Sequence, residues 1–388
     1  MLNRMVPHLN LQPPALRQVG FKLARVEGIN LAQGLCLMPM PPEVMEGAFA
    51  AMRAGRNVYS PAQGVTELRE ALAIRLRGFN RLTVEPDQIV VTTGSTGAFE
   101  TVCATFLEPG DEVVSFEPFY PYHRNALARY QAVTRAVPLM PPEWSWRDDD
   151  LERAITPRTK FVLLTTPNNP TGKVFTRAEL ERIAAACGRH NLFCVTDEVY
   201  EYLTYDGHRH ISMASMPGMA ERTITMSSYS KTFAITGWRI GYLAAPRAVA
   251  EVLKVVFDQM FVCAPTPLQV GVAAALARLD ETYYEQLRGE YARKREILMA
   301  GLAAAGLTPH RPQGAYFILA DTSAAFPGIP SEQAVELMID RVGVGAVPAT
   351  DFIADAAGDP VRSSFLRFSY AVPDELLHEA CARLGRLA

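Results

Sequence analysis

Five short apolar runs, separated by helical patterns, are the feature of this sequence that most limits its fold. The runs are five or six residues long and nearly continuous in apolar character: IVVTT (89–93), EVVSF (112–116), FVLLTT (161–166), LFCVTD (192–197) and TITMSS (223–228). Strands that are buried on both faces of a sheet have this character. Between several runs the apolar residues recur with helical spacing, as in residues 177–187. We therefore predict an α/β fold with a mostly parallel, doubly wound central sheet.

The length of the chain and the change of pattern along it predict a large and a small domain. A chain of 388 residues exceeds the size at which one hydrophobic core keeps growing. After a long charged helical stretch at residues 283–305, isolated strands (315–320, 365–370) and helices (331–341, 373–387) are typical of an α+β unit. Residues 1–45 are rich in proline and methionine and only weakly periodic, as expected of an arm. The predicted units are an N-terminal arm that forms part of the small domain (1–45), a large α/β domain (46–285) and a small C-terminal α+β domain (286–388).

The charge and the cysteines argue against several classes of protein. A net charge of −3 gives no general field for attracting nucleic acid, so any anion site must be local. The six cysteines are scattered, without a CxxC pair or a histidine at metal-binding spacing, which predicts reduced thiols. The first residues lack the apolar core of a secretory signal, and the longest uncharged stretch contains two prolines and two glutamines. We expect a cytoplasmic protein that binds neither nucleic acid nor a membrane.

Polar clusters follow the predicted strands, where ligands bind in open α/β sheets. Small residues at 94–97 begin an apolar helix and leave backbone N–H groups free for a phosphate, although a plain helix cap explains them equally well. Residues 167–172 (PNNPTG) hold more prolines and amides than a simple turn, the alternative, requires. Asp197 ends an apolar strand, where a carboxylate is costly unless it is paired or solvated, and Tyr200 follows it.

The stretch at residues 227–241 is the most informative of these clusters. A lone lysine after a serine is ordinarily solvated. Here Lys231 lies among several hydroxyl groups, and Arg239 follows eight residues later. This combination suits an amine nucleophile beside a phosphate.

These residues resemble a known family, the class I and II aminotransferases. Residues 228–241 meet each position of the signature S-x-S-K-x-x-x-x-x-G-x-R-x-G, at which that family attaches pyridoxal 5′-phosphate (PLP). Further family elements occur in the right order along nearly the whole chain: NLAQG (30–34), YSPAQG (59–64) with LR (68–69), NNPTG (168–172), DEVY (197–200), QGAYF (313–317) and LRFS (366–369). The resemblance implies the PLP-transferase fold type I.

The resemblance also implies how the cofactor ring is held. Lys231 would form the Schiff base with PLP and then act as the base that moves a proton. Asp197 would pair with the pyridinium nitrogen and keep the ring an electron sink. Asn169 and Tyr200 would hydrogen-bond the ring oxygen O3′, and Tyr120 would stack on the ring face.

The cofactor phosphate is expected to lie on residues from both copies of a homodimer with shared active sites. Ser95, Thr96, Ser228 and Arg239 would contact it within one chain. Tyr59 would reach it from the partner chain.

The substrate is expected to bind beside the ring. Arg367 would take its α-carboxylate as a bidentate pair, for which lysine is a poor substitute, and Gly34 and Asn169 would complete the substrate site. Arg362 is close in sequence but off the motif, so we expect it at the surface.

A metal site is not expected. His208 and His210 lie near Asp206, but no cysteine or further ligand accompanies them.

One segment departs from the family pattern. Many relatives have Pro-Asp-Phe after the glycine that corresponds to Gly34, whereas residues 35–40 read LCLMPM. That segment lies near the side-chain pocket in the family. An apolar wall is therefore predicted, with a preference for uncharged amino acids such as methionine, leucine, glutamine or aromatic residues.

The predicted activity is transfer of the α-amino group of an amino acid to a 2-oxo acid, with ping-pong kinetics. Two alternatives stay open at this point. The same scaffold supports elimination, as in carbon-sulfur β-lyases, or a cyclising synthase, and the motifs barely distinguish these outcomes from transfer. A PLP-binding regulator would require an added DNA-binding domain, for which the residues before 30 are too few.

Overall fold

The computed structural model describes residues 15–354 and 359–387. Its strands are β1 Ile29–Asn30, β2 Ile89–Thr92, β3 Glu112–Glu117, β4 Val133–Pro138, β5 Thr159–Thr165, β6 Phe193–Asp197, β7 Thr223–Ser228, β8 Gly241–Ala244, β9 Thr308–Pro309, β10 Phe317–Asp321, β11 Val344–Gly345, β12 Val347–Pro348 and β13 Phe365–Ser369. Its α-helices are α1 Ala15–Leu23, α2 Pro42–Arg53, α3 Thr66–Arg75, α4 Gly94–Phe106, α5 Pro121–Arg129, α6 Asp148–Ala154, α7 Arg177–Arg189, α8 Arg247–Phe261, α9 Thr266–Arg278, α10 Glu281–Ala304, α11 Ser331–Val342, α12 Pro360–Ser363 and α13 Asp374–Leu384. Residues 1–14 of the predicted arm lie outside the described residues.

A seven-stranded sheet in the order β2-β8-β7-β6-β5-β3-β4 forms the centre of the molecule. Strands β7, β6, β5, β3 and β4 are mutually parallel, and β8 runs antiparallel to β7 and β2. All five apolar runs of the sequence are strands of this sheet, so the prediction of a mostly parallel α/β sheet is confirmed. Strands β4 and β8 were missed, because β4 is half exposed and charged and β8 has only four residues.

Helices cover both faces of this sheet. Val113 and Val195 pack on one face with Phe99 of α4, whereas Val114 packs on the other face with Leu180 of α7. Because successive side chains of a strand point to opposite faces, an uninterrupted apolar run is what two covered faces require. Because strands β7, β6, β5, β3 and β4 run in parallel, their carboxyl ends lie at one edge of the sheet.

A four-stranded antiparallel sheet, β12-β13-β10-β9, lies in the C-terminal part of the chain. β1 pairs in parallel with β11, so a strand that is early in the sequence joins the later half. Val19 and Leu23 of α1 share a hydrophobic core with Leu298 of α10 and Leu377 of α13. This arrangement agrees with an N-terminal arm that packs on the small unit, while the domain boundaries stay a prediction. Within the described part of the chain, no helix is both long and apolar enough to cross a membrane.

Arg362 connects the end of β3 to the segment before β13. Its guanidinium lies 3.2 Å from a carboxylate oxygen of Glu117 and donates to the Glu117 carbonyl at 2.9 Å, and it also pairs with Asp359. Arg362 is only 7% exposed. The expectation that it lies at the surface was wrong, because sequence distance from the motif does not reveal that a buried carboxylate lies opposite it.

Replacing Arg362 should destabilise the fold strongly. Arg362→Leu leaves Glu117 buried without its cation, and we expect the free energy of unfolding to fall by about 3–5 kcal/mol. Urea titration followed by fluorescence measures this change. Arg341→Leu, at an exposed position of α11, serves as the control and should change stability by about 0.5 kcal/mol or less. A loss in Arg362→Leu as small as in the control would contradict the role of this ion pair.

Candidate active site

A cavity of about 520 Å³ lies where the carboxyl ends of β5, β6 and β7 meet the start of α4 and the rim formed by α1. Its lining residues include Leu16, Arg17, Gln33, Gly34, Leu35, Ser95, Thr96, Tyr120, Tyr122, Thr165, Asn169, Asp197, Tyr200, Ser228, Lys231, Arg239, Phe317 and Arg367. Every site residue predicted from the sequence is in this set except Tyr59. The cavity thus combines the polar clusters of several strands in one place.

Asp197 is a buried carboxylate with one oxygen unsatisfied. It ends β6 and is 5% exposed. Its Oδ2 lies 3.2 Å from Nε2 of His123, whereas its Oδ1 has no hydrogen-bond partner among the described residues. A buried carboxylate oxygen is costly unless it accepts a hydrogen bond. The cavity is therefore suited to a ligand that brings a cationic N–H donor to this position.

His123 is a residue of this site that the sequence reading missed. It lies in the first turn of α5, and its ring contacts those of Phe99 and Tyr120 with centroid distances of 4.6 and 5.5 Å. These contacts orient Nε2 toward Asp197, so His123 is a positioning residue. The only signal in the sequence was its spacing of three residues from Tyr120 at a helix start.

Lys231 follows β7 and is the cavity's amine. Its Nζ donates to the carbonyl of Gly34 at 3.1 Å. The pKa of Lys231 is lowered to about 8, mainly by burial and also by the nearby Arg239 and Arg367, against the opposing effects of Cys36 and Asp197. A neutral amine is the form that attacks a carbonyl carbon, so this environment favours a nucleophilic lysine.

An anion site lies at the start of α4. Ser95 and Thr96 are in its first turn, where backbone N–H groups are unpaired and the helix dipole is positive. Arg239 packs against this turn, since a Cβ built on Gly94, which has a φ of +75°, would lie 2.5 Å from the guanidinium. Ser228 lies at the end of β7 on the same cavity wall. A phosphate matches this combination of hydroxyls, amides and guanidinium.

Arg367 is a second cationic site, deeper than the first. It is 2% exposed and donates to Oδ1 of Asn169 at 2.8 Å and to the carbonyl of Ala32 at 2.6 Å. Its guanidinium lies over the ring of Phe317 at 4.2 Å, and its Nε has no partner among the described residues. Burial lowers the pKa of Arg367, yet an arginine stays protonated in proteins. A cation whose hydrogen-bond partners are neutral is prepared for a carboxylate ligand.

Aromatic rings form the remaining wall. Tyr200 packs edge-on against Tyr316 at a centroid distance of 5.2 Å, and Tyr120 stacks with Tyr122 at 5.1 Å. Burial raises the pKa of Tyr200 and of Tyr120, so both hydroxyls stay protonated donors. Gly34 accepts a hydrogen bond from Tyr316 at 3.2 Å besides that from Lys231.

The segment predicted as an apolar wall contributes less to the lining than expected. Leu35 lines the cavity. Cys36 is buried behind it, where its Sγ lies 3.4 Å from the carbonyl of Lys231. Leu37 lines a different surface depression.

Tyr59 lies outside the cavity. It is 81% exposed, and its role stays a prediction about a second copy of the chain.

A buried polar cluster supports the turn after Asp197. His210 Nε2 lies 2.9 Å from Glu198, and Ser212 donates to the same carboxylate at 3.0 Å. Asn80 donates to Glu201 at 2.6 Å. Burial raises the pKa of Glu201 to about 7. His210 therefore belongs to a hydrogen-bonded network with these carboxylates rather than to a pair with His208.

Comparisons with known proteins agree with this geometry. A family model described as "Aminotransferase class I and II" matches residues 26–384. The chain is 38% identical over 389 residues to aromatic-amino-acid aminotransferase 2 of Thermococcus litoralis, covering 97% of this chain and 96% of that protein. It is 37% identical over 384 residues to the aspartate/prephenate aminotransferase of Thermus thermophilus, covering 98% and 94%.

The solved structure of N-succinyldiaminopimelate aminotransferase from Mycobacterium tuberculosis matches with a TM-score of 0.94 and 34% identity, covering 99% of this chain and 100% of that one. These relatives confirm the fold prediction. All three are aminotransferases, which disfavours the elimination alternative that the motifs left open.

The lowered pKa of Lys231 predicts selective labelling of its amine. Only the neutral amine reacts with trinitrobenzenesulfonate. In protein freed of small carbonyl compounds, the labelling rate of Lys231 should therefore be half-maximal near pH 8, against about 10.4 for an ordinary lysine. Peptide mapping by mass spectrometry measures the rate, and a synthetic peptide copying residues 226–236 is the reference. Coincident pH profiles for protein and peptide would show that the fold does not shift this pKa.

Proposed function

We propose that this chain, which belongs to the class I and II aminotransferases, a family whose members use pyridoxal 5′-phosphate, binds this cofactor in the cavity. The enzyme then transfers the α-amino group of an uncharged amino acid to a 2-oxo acid. The observation that carries the proposal is Oδ1 of Asp197, which is buried and unpaired in the same cavity as the amine of Lys231. The cofactor has a protonated ring nitrogen and an aldehyde, which match this carboxylate and this amine. When bound, it supplies the electrophilic carbon and the electron sink for the reaction.

Four residues of the cavity would hold the cofactor ring. Asp197 would accept from the ring nitrogen through its unpaired Oδ1, while His123 contacts Oδ2 of the same carboxylate. Asn169 uses its Oδ1 for Arg367, so its Nδ2 remains to donate to the ring oxygen. Tyr200 would donate to the same oxygen, and Tyr120 would pack on the ring face.

The residues at the start of α4 would hold the cofactor phosphate. Ser95, Thr96 and Ser228 would donate their hydroxyls to it, and Arg239 would balance its charge. The close approach of Arg239 to Gly94 supports this assignment, because any larger residue at position 94 would displace the guanidinium.

Lys231 and Arg367 handle the substrate. Arg367 binds its α-carboxylate through the guanidinium edge that includes the unpaired Nε. Lys231, with its pKa lowered to about 8, accepts and returns a proton at Nζ near neutral pH. Gly34 holds Nζ close to the substrate position through the 3.1 Å hydrogen bond.

The preference for uncharged donors rests on the outer wall. Leu35, Leu16 and the ring of Tyr122 line the cavity toward its rim. These groups favour contact with aliphatic and aromatic side chains.

A homodimer with shared active sites completes the proposal. Val58 and Tyr59 are 75% and 81% exposed, although their segment is ordered by hydrogen bonds from Thr266 to the carbonyl of Val58 and from Gln269 to Ser60. Such exposed apolar groups on an ordered segment are typical of an interface. In the dimer, Tyr59 reaches the phosphate of the partner's cofactor.

The compartment and the division into domains are further proposals. All six cysteines are free, which supports a reducing, cytoplasmic environment. The seven-stranded sheet belongs to the large domain, residues 46–285, and the four-stranded sheet to the small one, residues 286–388 with the arm at 1–45.

The central test is whether Lys231 carries the cofactor. Wild-type protein loaded with pyridoxal 5′-phosphate should absorb visible light as the lysine-bound cofactor does, and it should transfer amino groups with parallel double-reciprocal plots. Lys231→Ala should lose both properties. Lys160→Ala, at an exposed lysine of β5, should keep both. A colourless wild-type protein that binds no added cofactor would refute the proposal.

The same assay tests the donor class. Methionine, leucine, glutamine and aromatic amino acids should be turned over faster than aspartate and glutamate. The reverse order would contradict the uncharged preference and leave the cofactor assignment intact.

Tyr59→Phe tests the shared site. Removing the hydroxyl deletes one hydrogen bond to a charged phosphate, so the cofactor dissociation constant should rise about 10-fold. Equilibrium dialysis measures it, and size-exclusion chromatography should show a dimer for both proteins. Unchanged cofactor affinity, or a wild-type monomer, would contradict the contact across the interface.

A further inference from the structure

Two segments that carry site residues separate where β6 ends. The ladder between β6 and β7 closes with Asp197 opposite Met226, and the N–H of Glu198 donates to the Met226 carbonyl at 2.8 Å. Beyond this point the chain leaves β6 in a turn that carries Tyr200, while β7 continues to Ser228. The backbone hydrogen bonds between β6 and β7 therefore do not set the position of one segment relative to the other.

A side-chain hydrogen bond connects the two segments instead. The hydroxyl of Ser227 donates to Oε1 of Glu201 at 3.0 Å, and it lies 3.4 Å from the carbonyl oxygen of Glu198. Ser227 and Glu201 are only 1% and 2% exposed. Water does not compete for a hydrogen bond that is buried to this extent, so the bond holds the turn against the end of β7.

The two partners of this bond are the chain neighbours of cavity residues. Ser228 and Tyr200 line the cavity, whereas Ser227 and Glu201 are not part of its lining. Successive side chains of a strand point to opposite faces, so Ser227 faces away from the cavity that Ser228 lines. The bond between Ser227 and Glu201 thus lies behind the cavity wall.

Glu201 is also held from two further segments. Its Oε2 accepts from Nδ2 of Asn80 at 2.6 Å, and its Oε1 lies 3.5 Å from the hydroxyl of Tyr242 on β8. These hydrogen-bond partners and Ser227 are all neutral groups. Burial of a carboxyl group among neutral partners is costly, and an apolar side chain would avoid that cost. The carboxyl group therefore marks a place where a defined geometry is required.

We propose that Glu201 is a positioning residue of the cofactor site, because through Ser227 it fixes the separation between the hydroxyls of Tyr200 and Ser228. This inference rests on the proposed function, in which Tyr200 donates to the ring oxygen and Ser228 donates to the phosphate. Both acceptors belong to one small cofactor, so both contacts form well only when the two hydroxyls have the matching separation. Glu201 itself touches neither the ring nor the phosphate.

Ser227→Ala tests the link with the loss of a single hydroxyl. The dissociation constant of pyridoxal 5′-phosphate should rise about 3- to 10-fold, because the hydrogen bond that aligns two of its contacts is lost. Equilibrium dialysis measures this constant. Thr225→Val is the matched control, because Thr225 lies on the same face of β7, is 1% exposed and has a hydroxyl without a partner among the described residues. The control should change the constant by about twofold or less.

The visible spectrum of the loaded protein gives a second readout. A hydroxyl that donates to the ring oxygen stabilises the anionic form of that oxygen, and it thereby lowers the pH at which the lysine-bound nitrogen loses its proton. Displacement of Tyr200 in Ser227→Ala should therefore raise the midpoint of the spectral pH titration by about half a pH unit or more. This variant keeps the carboxyl group of Glu201, so the shift does not arise from a lost charge.

Replacement of Glu201 tests the other end of the link. Glu201→Leu should produce the same two changes as Ser227→Ala. Glu201→Gln should restore values close to those of the wild type, because its Oε1 still accepts from Ser227. Its Nε2 finds an acceptor when the amide of Asn80 turns over, since Oδ1 of Asn80 has no partner among the described residues. Ser227→Ala decides the question if Glu201→Leu does not fold.

Hydrogen exchange tests the link in the cofactor-free protein. The N–H of Glu201 donates to the carbonyl of Glu198 at 2.9 Å, and the N–H of Leu203 donates to the carbonyl of Tyr200 at 2.8 Å. Both N–H groups should exchange about 3- to 10-fold faster in Ser227→Ala than in Thr225→Val, because the turn opens more readily. Equal exchange rates in the two variants would show that the bond does not hold this turn, and would overturn the inference.

The remaining outcomes separate the two proposals. Unchanged cofactor affinity and an unchanged spectral midpoint in Ser227→Ala overturn the role of Glu201 and leave the proposed function standing. Equal changes in Ser227→Ala and Thr225→Val also overturn it, because any lost hydroxyl of β7 would then have the same effect. A wild-type protein that binds no cofactor overturns the proposed function itself, and with it the inference that rests on it.

Discussion

The buried carboxylate of Asp197 is the constraint on which the site depends. It lies at the end of an apolar strand, and one of its oxygens is unpaired. The free energy cost of such a group is large unless a donor, preferably a cation, reaches it. His123 satisfies one oxygen, and the second has no partner among the described residues. In the proposed function, a protonated ring nitrogen of the cofactor would donate to this second oxygen, and the carboxylate would in turn favour the protonated form of the ring. The position at which β6 ends would thus set the charge state of the cofactor.

The sheet was largely predictable because burial on two faces leaves a simple signature. The runs that became β3 and β5 to β7 are nearly continuous in apolar character, because nearly all of their side chains are buried. Strand β4 lacks that signature because it lies at an edge of the sheet where most of its side chains are partly or fully exposed. Arg362 shows what a local sequence pattern does not predict. Its burial depends on Glu117, which is 245 residues away in the chain, and no local pattern reports a contact of that kind.

The residues of the site show the same difference between what local motifs predict and what only the fold brings together. Residues that belong to ordered motifs, such as Lys231, Asn169 and Arg367, were identified from the sequence and meet in one cavity. His123 was missed, because its neighbour Asp197 is one that only the fold supplies. An isolated histidine in a helix is usually a surface group. Only its position next to a buried or unbalanced charge distinguishes such a residue from an ordinary surface group.

The residues of the proposed site come from two sheets. Asp197, Lys231 and Ser228 belong to the large sheet or the turns after it, whereas Arg367 belongs to β13 of the small sheet. In the proposed function, the α-carboxylate would therefore be positioned from one sheet and the cofactor ring from the other. Asn169 would connect the two, because its Oδ1 accepts from Arg367 at 2.8 Å and its Nδ2 would donate to the ring. The Glu117 and Arg362 pair fixes the same two parts at a second point. A cavity whose walls come from two sheets in this way would orient a substrate from two sides.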